Sequence, residues 1–365
     1  MLSQNEKELF NLIAEYESVS RVTLAQKSGL TGASVTRITK GLMEKSLIEE
    51  CGKVYGSRGQ PSILLKLKTD GRHSFGINFS KRAINLNLIN LGGETVCSLH
   101  EELSQASVDE IGQQAARLSA DILAKHPHIK KNDIIGYGIS LPGNFSPAPR
   151  KLLQHALFPA LANCDIDSAF DEYLEYPYWT ENDATAAAIA VKQAHPDWHN
   201  FCFVHLGYGL GGGLYINGKP YVGAHGNAGA FGVFFPYDRA RPSISDLIKY
   251  LADNNIYIHD LSDLNQLDIT SLTVQLWLER AAQQLATAFL NIARCFDPPR
   301  IVLGGQLPDT LIVLLAERIQ KILPHMCQTV AHAFSGALPD IETASNQSGE
   351  RGSAWIPMSK IFFSS

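Results

Sequence analysis

The sequence predicts an α/β protein built in two repeated rounds behind a small helical head. Three observations carry that expectation. Buried-type strands alternate with amphipathic helices across residues 75–194, and again across 201–305. Glycine-rich turns follow strands at 207–213 and 304–305. The first 70 residues carry ten Lys and Arg against eight Asp and Glu, a charge of +2 that leaves −7 on the remainder of a chain whose total is −5. A mildly basic head on an acidic body is compatible with a small nucleic-acid reader fused to a larger domain. The 365 residues are 45% hydrophobic and 18% charged, which excludes a disordered or fibrous chain. No apolar run approaches the ~18 residues of a membrane helix. Met1 to Lys7 lack the basic stretch and apolar block of a signal peptide, so the cytoplasm is the expected compartment. Six scattered cysteines form no CxxC or CxC pair and read as reduced, mostly buried thiols.

In the head, residues 5–16 place Leu9, Phe10 and Ile13 on one helical face. Ser20 can cap a second helix, and Gly29 suits the left-handed position past its end. Thr31 can cap a third, Gly32 to about Lys45, with Val35, Ile38 and Leu42 inward and Ser34, Thr36, Arg37 and Lys40 outward. Two short helices joined by a tight turn form a helix-turn-helix. Short polar side chains and a cation near the start of its second helix can reach base edges and phosphates in the major groove. Strands at 46–50 and 62–67 then flank a glycine-rich, cationic tip, residues 52–61. The result is a winged helix, with Arg58 and Gln60 on the wing beside the DNA backbone or minor groove.

In the body, strands are expected at 75–79, 83–90 and 134–140, with a helix from Ser107 to Lys125 and the loop Leu141-Pro142-Gly143-Asn144. Glu181-Asn182-Asp183 leads into an Ala-rich helix ending at Ala194. The second round has a strand at 201–206, a glycine-rich turn from Gly207 to Gly213, and a strand from Leu214 with an Asn217-Gly218 hairpin turn. A long helix, Leu272 to Cys295, precedes Ile301-Val302-Leu303-Gly304-Gly305. Two such rounds imply two lobes with a cleft between them.

The glycine turns, the Asn182-Asp183 pair opening a helix, Gly223 to Gly229, and IVLGG after a long helix together resemble the ROK family of repressors, open reading frames and sugar kinases. The resemblance runs from about residue 5 to the end, with Gly352-Ser353-Ala354 opening the last helix. It implies an actin/hexokinase-like two-lobed body at 71–365 behind a winged helix-turn-helix at 1–70. The lobes would cover about 71–180 plus the C-terminal helix, and 181–350.

Departures from the family pattern shape the expected function. Kinase members carry Asp followed by Gly-Gly-Thr where this chain has Asn78-Phe79-Ser80, and Thr where it has Tyr208. Bulky, uncharged atoms would crowd the place of a nucleotide's triphosphate. The glycines at 207, 209 and 211–213 would then serve packing. The resemblance assigns Asn182 and Asp183 to sugar hydroxyls, and Asn144 and His225 are the nearest spare polar groups. The family's Gly-Glu-x-Gly-His is here Gly229-Ala230-Phe231-Gly232-Val233, and its cysteine knuckle is missing, so neither zinc nor any other cofactor is expected.

The preferred reading is a transcriptional regulator, a repressor of carbohydrate uptake or metabolism genes, and not an enzyme. Its implied partners are a double-stranded DNA operator, a sugar or sugar-derivative effector, and a protein. No membrane is involved, and a homodimer or dimer of dimers would match a palindromic site. Two rivals stand beside it: an ATP-dependent sugar kinase with an appended regulatory domain, and a regulator controlled by a protein instead of a sugar. Residues 238–270 read only as helix and loop.

Overall fold

The computed structural model describes residues 2–54, 62–153, 157–236, 238–329, 337–346 and 348–363. Arg58 and Gln60 lie outside these. The chain divides into two compact units, Met1–Glu181 with Glu350–Ser365, and Asn182–Gly349.

The first unit opens with α1 (Gln4–Ala14), β1 (Val19–Ser20), α2 (Arg21–Ser28), α3 (Gly32–Glu44), β2 (Ile48–Val54) and β3 (Ser62–Leu67). Each helix starts where a side-chain oxygen accepts an otherwise unpaired backbone N–H. Ser3 caps α1, Ser20 caps α2 and Thr31 caps α3. Gly29 ends α2 at φ +69°. Leu9, Phe10 and Ile13 of α1 and Val35, Ile38 and Leu42 of α3 are buried. The strands order β1-β3-β2, all antiparallel. The first long strand begins at Ile48, two residues later than the pattern suggests, because Ser46 turns the chain at φ +56°.

Two polar links lock the three helices. The Arg21 guanidinium donates to Thr39 Oγ1 at 3.1 Å and to Glu50 at 3.0 Å, joining α2 to α3 and β2. Lys45 Nζ meets Glu6 Oε1 at 2.5 Å. The Lys45 ammonium and the Ser3 backbone N–H together hold the Glu6 carboxyl down at about 2, from 4.5. A depressed carboxylate stabilises the fold above its unfolded value and loses that effect as pH falls through its folded one. Glu6→Gln is therefore expected to cost about 1 kcal/mol at pH 7 in urea unfolding, the scale of a partly exposed ion pair. The gap to wild type should narrow from about pH 4.5 downward and close near pH 2.

The rest of this unit adds β4 (His73–Phe79), β5 (Ala83–Asn90), β6 (Thr95–Glu102), α4 (Val108–Lys125), β7 (Ile134–Leu141) and β8 (Tyr178–Asn182), in the sheet order β6-β5-β4-β7-β8. Phe75, Ile77, Leu86 and Leu88 on one face join Ile111, Ala115, Leu118 and Ile122 of α4 in a core. The second unit runs α5 (Asp183–Ala194), β9 (Phe201–Leu206), β10 (Leu210–Ile216), β11 (Lys219–Pro220), α6 (Ile244–Asp253), α7 (Leu272–Phe296), β12 (Arg300–Gly305), α8 (Asp309–Thr329) and β13 (Asp340–Thr343). Its sheet order is β11-β10-β9-β12-β13. Numbered from their own first strand, both sheets follow one plan, 3-2-1-4-5. In each, an antiparallel three-strand meander carries a parallel partner on the far side of its first strand. Trp277, Leu278, Leu285 and Phe289 of α7 fill the second core.

Two expectations are corrected here. Gly211 to Gly213 are not a turn; they lie inside β10, paired with His205 to Phe203 of β9. A Cβ on Gly213 would fall 2.7 Å from Ala184 O and from Ala188 Cβ of α5, so Gly213 lets a helix lie directly on the strand, while a Cβ on Gly212 would run into the Phe231 ring on the other face. Gly352-Ser353-Ala354 also do not open the last helix, because α9 (Ser348–Met358) starts four residues earlier. The thiols are less buried than expected. All six are free, but Cys51 and Cys295 are exposed, and only Cys202 is fully buried, its pKa pushed up to about 12 by desolvation.

Candidate functional site

The outward face of α3 is set by its inward one. With Val35, Ile38 and Leu42 in the core, Thr36, Arg37 and Lys40 are exposed, and Ser34 is half-buried at the first turn. Local bonds already use part of the small side chains. Thr31 Oγ1 donates to Ser34 Oγ at 3.0 Å, and Thr36 Oγ1 donates to Gly32 O at 2.8 Å. Thr36 thus keeps acceptor capacity, whereas the Ser34 hydroxyl keeps its proton to donate. Among the described residues, neither Arg37 nor Lys40 makes an ion pair or hydrogen bond. Arg21, by contrast, is consumed by the fold. Sequence reasoning did not single it out, since nothing in its spacing shows that Thr39 and Glu50 await it.

The β8–α5 junction, where the chain passes from the first unit to the second, presents the paired polar residues. Asn182 is the cap of α5, and its side-chain oxygen accepts from Ala184 N at 2.9 Å. Asp183 Oδ1 accepts from the same N–H at 2.7 Å. Both residues are half-buried, and Asp183 Oδ2 has no partner among the described residues. Asp183 therefore does two things at once. One oxygen supports the helix start, and the other remains available to a hydroxyl.

The other two proposed ligands are placed differently. His225 sits exposed in the 221–230 loop and makes no hydrogen bond among the described residues. Asn144 is exposed and belongs to the other unit, where its carbonyl accepts from Leu153 N at 2.8 Å. Asn182 and Asp183 share the Ala184 N–H.

The turn between β9 and β10 is held from outside. Ile244 N, opening α6, donates to Gly207 O at 2.9 Å, and Ser245 Oγ donates to Tyr208 O at 2.6 Å. Asp246 then fastens α6 to α7 through Trp277 Nε1 at 2.8 Å and through Arg280. That is the structural work of residues 238–270. Gly209 does not serve packing as expected, for a Cβ there would meet nothing within 4 Å. Phe79 likewise does not crowd the β4–β5 turn. Its ring is buried in the α4-side core, edge-on to Phe158 at 5.7 Å. The change at that turn rests on Asn78 and Ser80. Among the described residues, no three His, Cys, Asp or Glu side chains are grouped to hold a metal, and no helix is long and apolar enough to cross a membrane.

Two lobes on one repeated 3-2-1-4-5 plan, with an Asn-Asp pair at a strand-to-helix junction, define an actin/hexokinase-like protein. The ROK family model matches residues 76–241. The protein y4fQ of Sinorhizobium fredii is 36% identical over 366 residues, covering 99% of this chain and 92% of its own. The xylose repressor of Bacillus subtilis is 27% identical over 351 residues, 90% of this chain and 89% of its own. A crystal structure of a ROK family transcriptional regulator, homologous to the E. coli MLC protein, superposes with a TM-score of 0.72 at 20% identity, covering 97% of this chain and 95% of that one. The chain belongs to the ROK family.

Proposed function

We propose that this protein is a cytoplasmic, DNA-binding repressor of carbohydrate genes, whose first 70 residues are a winged helix-turn-helix and whose body senses a sugar. The observation that carries the reading is the outward face of α3, where two exposed cations without partners among the described residues follow short polar side chains on a helix anchored from behind. The family membership and the likeness to a xylose repressor support it. A homodimer would set two such helices on the half-sites of a palindrome. Gel shifts on the gene's own upstream DNA and on a genomic fragment library test it. Salt-sensitive, sequence-selective binding is expected, and its absence in both defeats the reading.

For the body, Asn182 and Asp183 would grip adjacent sugar hydroxyls, with Asp183 Oδ2 as acceptor. A thermal-shift panel including D-xylose and N-acetylglucosamine should contain a sugar that raises the melting temperature. Asp183→Asn should weaken that sugar roughly 10-fold or more, as one charge-assisted hydrogen bond of about 1.5–3 kcal/mol is lost. No shift across the panel would move the reading to control by a protein partner, for which the 76% exposed Val233 supplies an apolar contact.

One observation favours a second reading. The same Oδ2 could take a proton from a sugar hydroxyl, as a sugar kinase requires. Sugar-dependent ADP release, abolished by Asp183→Asn, would establish it. We set it second because Asn78 and Ser80 stand where kinase members carry the acid and a glycine.

A further inference from the structure

Past α9 the chain closes in a π-helical turn, Ser359–Phe363. Such turns are rare and concentrate at functional sites. Lys360 Nζ lies 2.5 Å from Glu181 Oε1, and that carboxylate side chain is only 5% exposed. Glu181 immediately precedes Asn182 and Asp183. Two and three residues past Lys360, the rings of Phe362 and Phe363 each stand 5.4 Å from Phe10 of α1. Phe363 also meets Trp355 of α9 at 6.1 Å. Phe10 and Phe362 are buried. One turn of five residues thus holds both the residue before the Asn-Asp pair and the first helix of the head.

The path of the chain strengthens the connection. It passes between the two units twice, at 181–182 and at 349–350. Glu181 borders the first passage. The second lies in the first turn of α9, whose far end becomes the π turn. A displacement at Asn182 reaches Glu181 through one peptide bond. A buried carboxylate does not leave its lysine readily, because an uncompensated buried charge is strongly unfavourable. Lys360 follows Glu181, and the two phenylalanines move with it. Close-packed side chains of this kind shift between discrete arrangements and do not deform smoothly.

We infer that the Ser359–Phe363 turn is the coupling element between the Asn182–Asp183 pair and α1 of the head. Lys360 is a positioning residue, and Phe362 and Phe363 transmit its position. The consequence for gene control rests on the reading of the head as a DNA binder, but the coupling itself does not.

Hydrogen–deuterium exchange on the full chain tests it. Lys360→Met is expected to speed exchange of the amides of residues 4–14 roughly 10-fold, with residues 108–125 of α4 unchanged as the folding control. Glu181→Gln, which weakens the pair from its other end, should give the same pattern, and Lys360→Arg should restore protection. Changes confined to residues 178–183 and 359–363 would show a local ion pair and overturn the inference. So would α1 amides that respond equally to Lys360→Met and Lys360→Arg. Gel shifts on the same samples separate the two ideas. If α1 responds as expected but wild type binds no DNA, the DNA-binding reading fails and the coupling stands.

Discussion

Replacing Arg37 with Ala is expected to weaken operator binding by roughly 1–3 kcal/mol, about 5- to 150-fold, when the guanidinium reads a base. The residue sits on the solvent side of α3, one position before the buried Ile38 and two after the buried Val35. Those anchors fix the helix, so the loss should appear in DNA affinity and leave the melting temperature unchanged. Lys40→Ala should weaken all sequences alike and lower the salt slope by about 1, as a phosphate contact does. Arg21→Ala provides the contrast. Its side chain is tied to Thr39 and Glu50, so it should destabilise the head first and weaken DNA binding only through that. Fluorescence anisotropy on one operator at three salt concentrations separates the three variants. If Arg37→Ala changes neither affinity nor sequence preference, α3 is not the reading helix.

The largest stability effect is expected in the body, at Gly138. Gly76 of β4 and Gly138 of β7 are register partners, and together they make a flat seat for α9. A Cβ on Gly138 would lie 1.9 Å from Ser353 O, and one on Gly76 would lie 2.3 Å from Ala354 N. Both obstacles are backbone atoms, which cannot rotate aside. Gly138→Ala must lift α9 from the sheet or bend the strand. It should lose roughly 3 kcal/mol or more, the upper range for an overpacked core. Lifting α9 would also strain the bond from Ser74 Oγ to Ala354 O at 2.6 Å. Gly209→Ala is the control, since its Cβ would meet nothing. Urea unfolding should separate the two plainly, and equal midpoints would show that the seat is not tight.

The seat also explains why Ser353 and Ala354 misled the sequence reading. Small residues in a row look like a helix start, but here they sit mid-helix because two strand glycines face them. The run Gly211-Gly212-Gly213 misled in the same way. Glycines suggest a turn when read alone, and only Ala184 and Ala188 of α5 against Gly211 and Gly213, and Phe231 against Gly212 on the other face, show why the strand needs them. The edge strands β6, β8 and β13 were equally hard to read. Their burial patterns are mixed, as at the edges of sheets, so alternation gives no clear signal.

Caps, turns and amphipathic faces were legible in the one-dimensional order of residues, because their physics acts over three or four positions. Ser20, Gly29, Thr31, the Asn217-Gly218 turn at φ +54° and +76°, and the buried stripe of α3 all follow from neighbours in the chain. Which side of α3 faces water was determined at that level too. Only the folded molecule decided which polar groups are spent and which remain. Arg21 is bound, while Arg37 stands free of partners among the described residues. Asp183 gives one oxygen to Ala184 N and keeps the other. Glu181 finds Lys360, 179 positions away in the sequence. Such pairings depend on where distant segments come to rest, and no local spacing encodes that.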